Sequence, residues 1–333
     1  MTTSKFKRGL LGLALLLTVG AAPAATLKIA TIAPDGTSWM TEMRAAGKRI
    51  EERTEGRVEL KFYPGGVMGS ASTVLRKMRV GQLHGGAFAT SELAEVYPDW
   101  ALYGMPFLFE SMDEVIAVRE EIDPLLAEGL EARGLTMVGL AGGGFGYLMS
   151  GSRIASRDAL IASKVWVPEG DDVAALSLEL AGVSPISLPI SDVYTGLQTG
   201  LIDTVVNTPV GTIAFQWHTR VKYLVDLPVS YVAGGIAIDN RAFRRLSAAD
   251  QAIMREELEG TLAELQAQDR LDNVGAKAAL AGQGIETIPI SDEDLAYWHA
   301  LADRTLDQLN ASNDYEFDHV DALREAITRV RAR

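Results

Sequence analysis

Hydrophobic and polar positions follow one another along this chain in two rhythms, short apolar runs and longer stretches with three-to-four spacing. Residues 27–34, LKIATIAP, predict a strand stopped by Pro34. Asp35-Gly36-Thr37-Ser38 then offers turn and N-cap residues for a helix reaching about Arg53. Thr54-Glu55-Gly56 ends that helix, VELKFYP alternates as a second strand, and the turn PGGVMGS leads to a helix around 74–80. Residues 85–90 read as a third, buried strand, followed by a helix over 112–133 and the strand LTMVGLA. The cluster Gly142-Gly143-Gly144-Phe145-Gly146 reads as a crossover between two lobes, since glycine takes backbone angles that other residues resist. As a phosphate cradle it fails, because GxGxxG is not satisfied and no Gly-Lys-Ser/Thr follows.

From 164 to 208 the pattern is strand, helix, strand, helix, strand. Residues 221–240, VKYLVDLPVSYVAGGIAIDN, supply strand-like runs that return the chain to the first lobe. Residues 247–282, rich in Ala, Glu, Leu and Gln with few breakers, predict a long helix. GIETIPI is a last short strand, and two helices fill 292–333. The alternation of strands with helices defines an α/β fold built of βαβ units around a mainly parallel sheet. Two lobes joined by several crossings, without a flexible linker, suit hinge closure around a ligand.

The N-terminus predicts an address. Lys5, Lys7 and Arg8 precede an apolar run over 9–19 broken only by Thr18, and Ala22-Pro23-Ala24 supplies small residues for cleavage between Ala24 and Ala25. The run falls short of the roughly 20 residues a spanning helix needs, so residues 1–24 read as a signal peptide rather than an anchor. The formal charge of −13 becomes −16 once the three leader cations are lost, which argues against a nucleic-acid partner. With no cysteine, disulfides, thiol catalysis, Cys metal sites and lipid anchoring through cysteine drop out. The remaining 309 residues are enough for two domains held by their own cores.

Catalytic signatures are absent. There is no GxSxG or HExxH, no Ser-x-x-Lys set in a plausible context, and His84, His218, His299 and His319 lack metal-ligand spacing. No enzyme activity, cofactor or metal is therefore expected.

One run carries a resemblance. Leu197-Gln198-Thr199-Gly200-Leu201-Ile202-Asp203 follows Pro189, Ser191, Asp192 and Tyr194, with Pro64, Gly65, Gly69, Gly81 and Pro106-Phe107-Leu108-Phe109 upstream. In order and spacing these are similar to the TRAP-transporter solute-binding proteins, over nearly the whole chain after the leader. The resemblance implies a periplasmic-binding-protein-like α/β fold, with two lobes around a ligand cleft, linked by hinge crossings and a long helix. On that pattern, lobe I takes 25–144 plus 232–271, lobe II takes 145–231 plus 272–310, and 311–333 is a C-terminal helix packing on the lobes. It also implies a periplasmic receptor that hands a small solute, usually an organic acid, to small and large membrane subunits. The alternatives of another class are an α/β enzyme on this scaffold and a ligand-sensing domain for a signalling partner.

The same resemblance names a ligand shell. Where most members carry the carboxylate-clamping arginine, this chain has Trp166, and a second arginine near the crossover is replaced around Phe145-Gly146-Tyr147. The family's asparagine corresponds to Asn207, and its aromatic after the helix-opening proline to Ile190. An arginine fork makes two charge-assisted bonds to a carboxylate, whereas indole offers one N–H and a π face. Another donor such as Arg153 then takes the anion, or a neutral or aromatic ligand stacks on Trp166, or a cation sits over it, or Trp166 turns into the core. Glu169, with Asp171 and Asp172 beyond it, serves a helix dipole or faces the cleft. Loops at strand ends add Trp39, Met68, Phe88 and Thr90, and Trp217 follows the Asn207 strand. Tyr194, Leu197 and Gln198 share one helix face and read as core.

Overall fold

The structure, a computed structural model, describes residues 25–311 and 317–332; the expected leader and its cleavage point lie outside the described residues. The strands are β1 (Ala25–Ala30), β2 (Val58–Tyr63), β3 (Gly85–Ala89), β4 (Leu135–Ser150), β5 (Trp166–Pro168), β6 (Ile186–Leu188), β7 (Thr204–Asn207), β8 (Tyr223–Asp239) and β9 (Glu286–Ile288). Seven form one sheet in the order β2-β1-β3-β8-β4-β7, with β9 beside β8; β5 and β6 pair on their own. A parallel bridge between Val165 and Thr204 ties that pair to β7.

This sheet is mixed rather than mainly parallel. β1 runs parallel to β2 and β3, while β3–β8, β8–β4 and β4–β7 are antiparallel. The reason is the length of β4 and β8, 16 and 17 residues, which lie against each other from Leu135↔Asp239 to Ser150↔Tyr223. Two α/β lobes thus share one pair of long strands. The glycine cluster is no loop but part of β4, with register shifts between Gly142 and Gly144 and between Gly146 and Tyr147. Gly142 is there for space: a Cβ on it would lie 1.7 Å from the Tyr231 hydroxyl. Gly144, at φ +100°, is there for conformation.

The long helix Ala248–Gly282 starts on Ser247, whose Oγ accepts the Asp250 N–H at 3.1 Å and donates to Asp250 Oδ2 at 2.8 Å. Its Met254, Leu258, Leu262 and Leu265 repeat every three to four residues and bury against Met43 and Ile50 of helix Ser38–Arg53 and Ile29 and Ile236 of the sheet. At its far end Leu280 packs with Trp166, Trp217 and Leu224, so one helix braces both halves. The C-terminal helix Val320–Arg331 buries Val320, Leu323, Ala326 and Ile327, and Arg331 Nε donates to Glu114 Oε1 at 2.6 Å on helix Met112–Ala132.

The central run folds as read: β5, helix Asp172–Leu180, β6, helix Val193–Thr199, β7. Gly200 ends the second helix at φ +72°, and Asp203 Oδ1 accepts the Lys164 N–H at 2.9 Å and the Thr204 hydroxyl at 2.8 Å. Gln198 departs from the reading. The buried stripe is Val193, Gly196 and Leu197, which leaves Gln198 exposed and Tyr194 half-buried.

Candidate functional site

β3, β5 and β7 end close together, where open α/β sheets leave a crevice. A cavity of about 220 Å³ lies there. Ile32 and Ala89-Thr90-Ser91 line it from one side, Trp166-Val167-Pro168, Ile190 and Asn207 from the other, and Leu148, Val229 and Tyr231 of the two long strands from behind. Phe107, Trp298 and Leu301 close its inner end.

Three aromatic rings form one wall. Trp166, 6% exposed, meets Trp217 edge-on with centroids 5.4 Å apart, and Phe215 stacks on Trp217 at 5.6 Å. The Trp166 indole N–H donates to the Leu188 carbonyl at 2.9 Å, so β6 holds the ring in place and only carbon surface remains for a solute. Among the described residues, two of the three non-glycine positions with positive φ lie in or directly beside the cavity lining. Phe107 (φ +61°) lines it, its N–H on the Val229 carbonyl and its ring stacked on Trp298 at 5.3 Å. Gln216 (φ +60°) is the link that lets both Phe215 and Trp217 reach the wall. Left-handed backbone at bulky residues is costly and gathers at binding sites.

Polar lining is sparse. Tyr231 accepts at its hydroxyl from Arg119 (3.0 Å), which is also tied to Asp123 and Gln266, so that guanidinium is engaged behind the wall. Asn207 turns its Oδ1 onto the Thr208 N–H at 2.8 Å. Asp171, 6% exposed, caps helix Asp172–Leu180 by accepting the Ala174 N–H at 3.0 Å, and burial pushes its carboxyl up to about 6. Among the described residues no lysine, arginine or histidine lines the cavity. Next to it, a narrow crevice holds Glu92 and Glu95 opposite Glu169 and Ile190. Burial, and then the charge of Glu169, raise Glu92 to about 7 against the pull of the Ala89 N–H.

Trp166, Ile190, Asn207 and Trp217 therefore share one cavity with Thr90, and six other expected residues lie apart from it. Phe88 and Tyr147 are one strand position out of phase: Ala89 and Leu148 line the cavity, while the Phe88 ring folds over Gly86 and Tyr147 lies under Lys277 Nζ (4.6 Å). Met68 lines a separate space of about 10 Å³ with Phe88 and Glu92, and its carbonyl accepts from Lys77. Trp39 packs on the far side with the Leu27–Ile29 cluster. Glu169 is exposed in the acidic crevice, and Arg153 is paired with Glu286 away from the cavity. Of the acids named with Glu169, Asp171 is the one that lines the cavity, while sequence reading did not reach Phe107, Phe215 and Trp298 as cavity residues. Phe107 stood inside Pro-Phe-Leu-Phe, but Trp298 arrives from a helix distant along the chain and left no local signal.

The chain belongs to the bacterial extracellular solute-binding proteins, family 7 (DctP), which it matches over residues 29–313. Among curated relatives, the uncharacterized protein YiiZ of Salmonella typhimurium is 26% identical over 186 residues, 54% of this chain and 56% of that one. Among solved structures, a TRAP periplasmic solute-binding protein of Desulfovibrio salexigens with bound orotic acid superposes with a TM-score of 0.84 at 18% identity, covering 92% of this chain and 99% of that one. One from Xanthobacter autotrophicus with bound β-D-galacturonate gives 0.81 at 20% identity over the same shares. Among the described residues no helix is long and apolar enough to cross a membrane.

Proposed function

We propose that this protein is the periplasmic receptor of a TRAP-type secondary transporter, closing two lobes on a small organic solute and passing it to small and large membrane subunits. The observation that carries this reading is the cavity at the strand ends, lined from both sides, in a chain of a solute-binding family. Lobe I comprises 25–144 with 232–271, lobe II 145–231 with 272–310, and 311–333 packs on them. The irregular register of β4 around Gly142–Tyr147 supports a hinge at the first crossing. Trp166, Ile190, Asn207 and Trp217 would line the solute. Kinship points to an organic acid, as in the receptors holding galacturonate and orotic acid. Among the described lining residues there is no guanidinium to clamp a carboxylate.

A thermal-shift screen of the purified protein against small organic solutes tests the receptor reading. One class should raise the melting temperature by several degrees and be recovered unchanged by mass spectrometry. Turnover of the bound compound, or a blank screen, would sink it.

A further inference from the structure

The lining of this cavity is mostly apolar and holds no cation among the described residues, which suits a charged sugar acid poorly. Resting on the receptor reading above, we infer that its solute has an apolar body and is anchored through an N–H or O–H donor on the Asp171 carboxylate, not through a carboxylate of its own.

Asp171 is the first support. It is buried, it lines the cavity, and only Oδ1 has a protein donor, the Ala174 N–H; Oδ2 has none among the described residues. In a buried residue that lines a cavity, an oxygen without a protein donor is free to accept from a ligand. Burial without a neighbouring cation also lifts this carboxyl above its ordinary range. A second carboxylate in the same space would meet like charge and no counter-ion.

The second support is the wall. Trp166 has given its N–H to Leu188, so it offers ring surface and no donor for an anion, and the rings of Trp217 and Phe215 extend that surface. The third is the inner end. Phe107, stacked on Trp298, is shared with a smaller cavity of about 40 Å³ that also shares Leu148, Leu160 and Val229, so apolar lining continues beyond the cleft. A hydrocarbon or aromatic body fills such space, whereas a hydroxylated acid would lose its hydration there.

The test is a matched series with one body and three heads, measured by calorimetry at pH 8: 3-phenylpropylamine, 3-phenylpropanol and 3-phenylpropionate, with D-galacturonate as the polar acid. The amine and the alcohol are expected to bind at least tenfold tighter than 3-phenylpropionate, and galacturonate weakest. Asp171→Asn, which keeps the helix cap, should cut amine affinity at least tenfold and leave the carboxylate unchanged or tighter. Phe107→Leu should weaken all three phenyl compounds together. If galacturonate or 3-phenylpropionate binds as tightly as the amine and the alcohol, the inference falls while the receptor reading stands. Binding by none of the four also overturns it, and a blank solute screen would remove the receptor reading as well.

Discussion

The Trp166 ring is fixed by its own hydrogen bond to Leu188 and by edge-on contact with Trp217, so it meets a solute without having to be ordered by it. Trp166→Ala is therefore expected to weaken solute binding by about 1–3 kcal/mol, the range for a buried aromatic contact. Calorimetry on a folded variant with unchanged affinity would return the ring to a purely structural role. Glu92 offers a second test, through pH. Its folded-state value, about 7, lies above the ordinary 4.5, so the folded protein holds the proton more tightly. That contribution to stability is full below pH 4.5 and is lost as pH rises through 7. Across that window each pH step of one is worth about 1.4 kcal/mol, so the loss approaches about 3 kcal/mol. Glu92→Gln keeps an acceptor for the Ala89 N–H, so in urea melts its stability should gain on the wild type from pH 4.5 to 7.5; parallel profiles would refute the assignment. At this scale Trp166, Ile190 and Asn207 were legible through the family resemblance of one run, and Trp217 because it follows the Asn207 strand. Phe88 and Tyr147 were not, because a strand's inward face depends on what packs against it, and a phase error of one residue turns a side chain away.

Helices were the most readable elements, since caps and periodicity are local: Ser247 before the long helix and Thr37 before Ser38–Arg53 each accept an N–H from the first turn. The long strands were harder. A glycine cluster inside β4 looks like a break in sequence, yet its residues are dictated by a neighbour distant along the chain, Tyr231 on β8. Missing that continuity also hid the antiparallel centre of the sheet. Because a methyl group on Gly142 would overlap the Tyr231 hydroxyl, which is itself held by Arg119, the ring cannot move aside freely. Gly142→Ala should destabilise the fold by about 1–3 kcal/mol, the usual cost of overpacking, and a melt superimposable on the wild type would show that β4 has slack there.

At the scale of the molecule, the proposed closure would bring like charges together. Glu92 and Glu95 stand on the side of the acidic crevice given to lobe I in the proposed division and Glu169 on the side given to lobe II; Glu95 has Arg79 at 3.8 Å, and the Glu92 carboxylate is held by a backbone N–H alone among the described residues. Above pH 7 Glu92 is ionised and Glu169 repels it, so alkaline conditions favour the open form; near pH 5.5 Glu92 is protonated and the repulsion is gone. Closure costs only as much as the difference between two states, and a bias of about 1 kcal/mol changes their ratio roughly fivefold. Glu169→Gln removes one side of this repulsion without touching the cavity lining. Small-angle scattering of the solute-free proteins should then show the variant more compact than the wild type at pH 8.5, and the two indistinguishable at pH 5.5. A difference that persists at pH 5.5 would mean that Glu169 acts through something other than Glu92, and identical scattering at pH 8.5 would mean that the crevice does not set the resting state of the lobes.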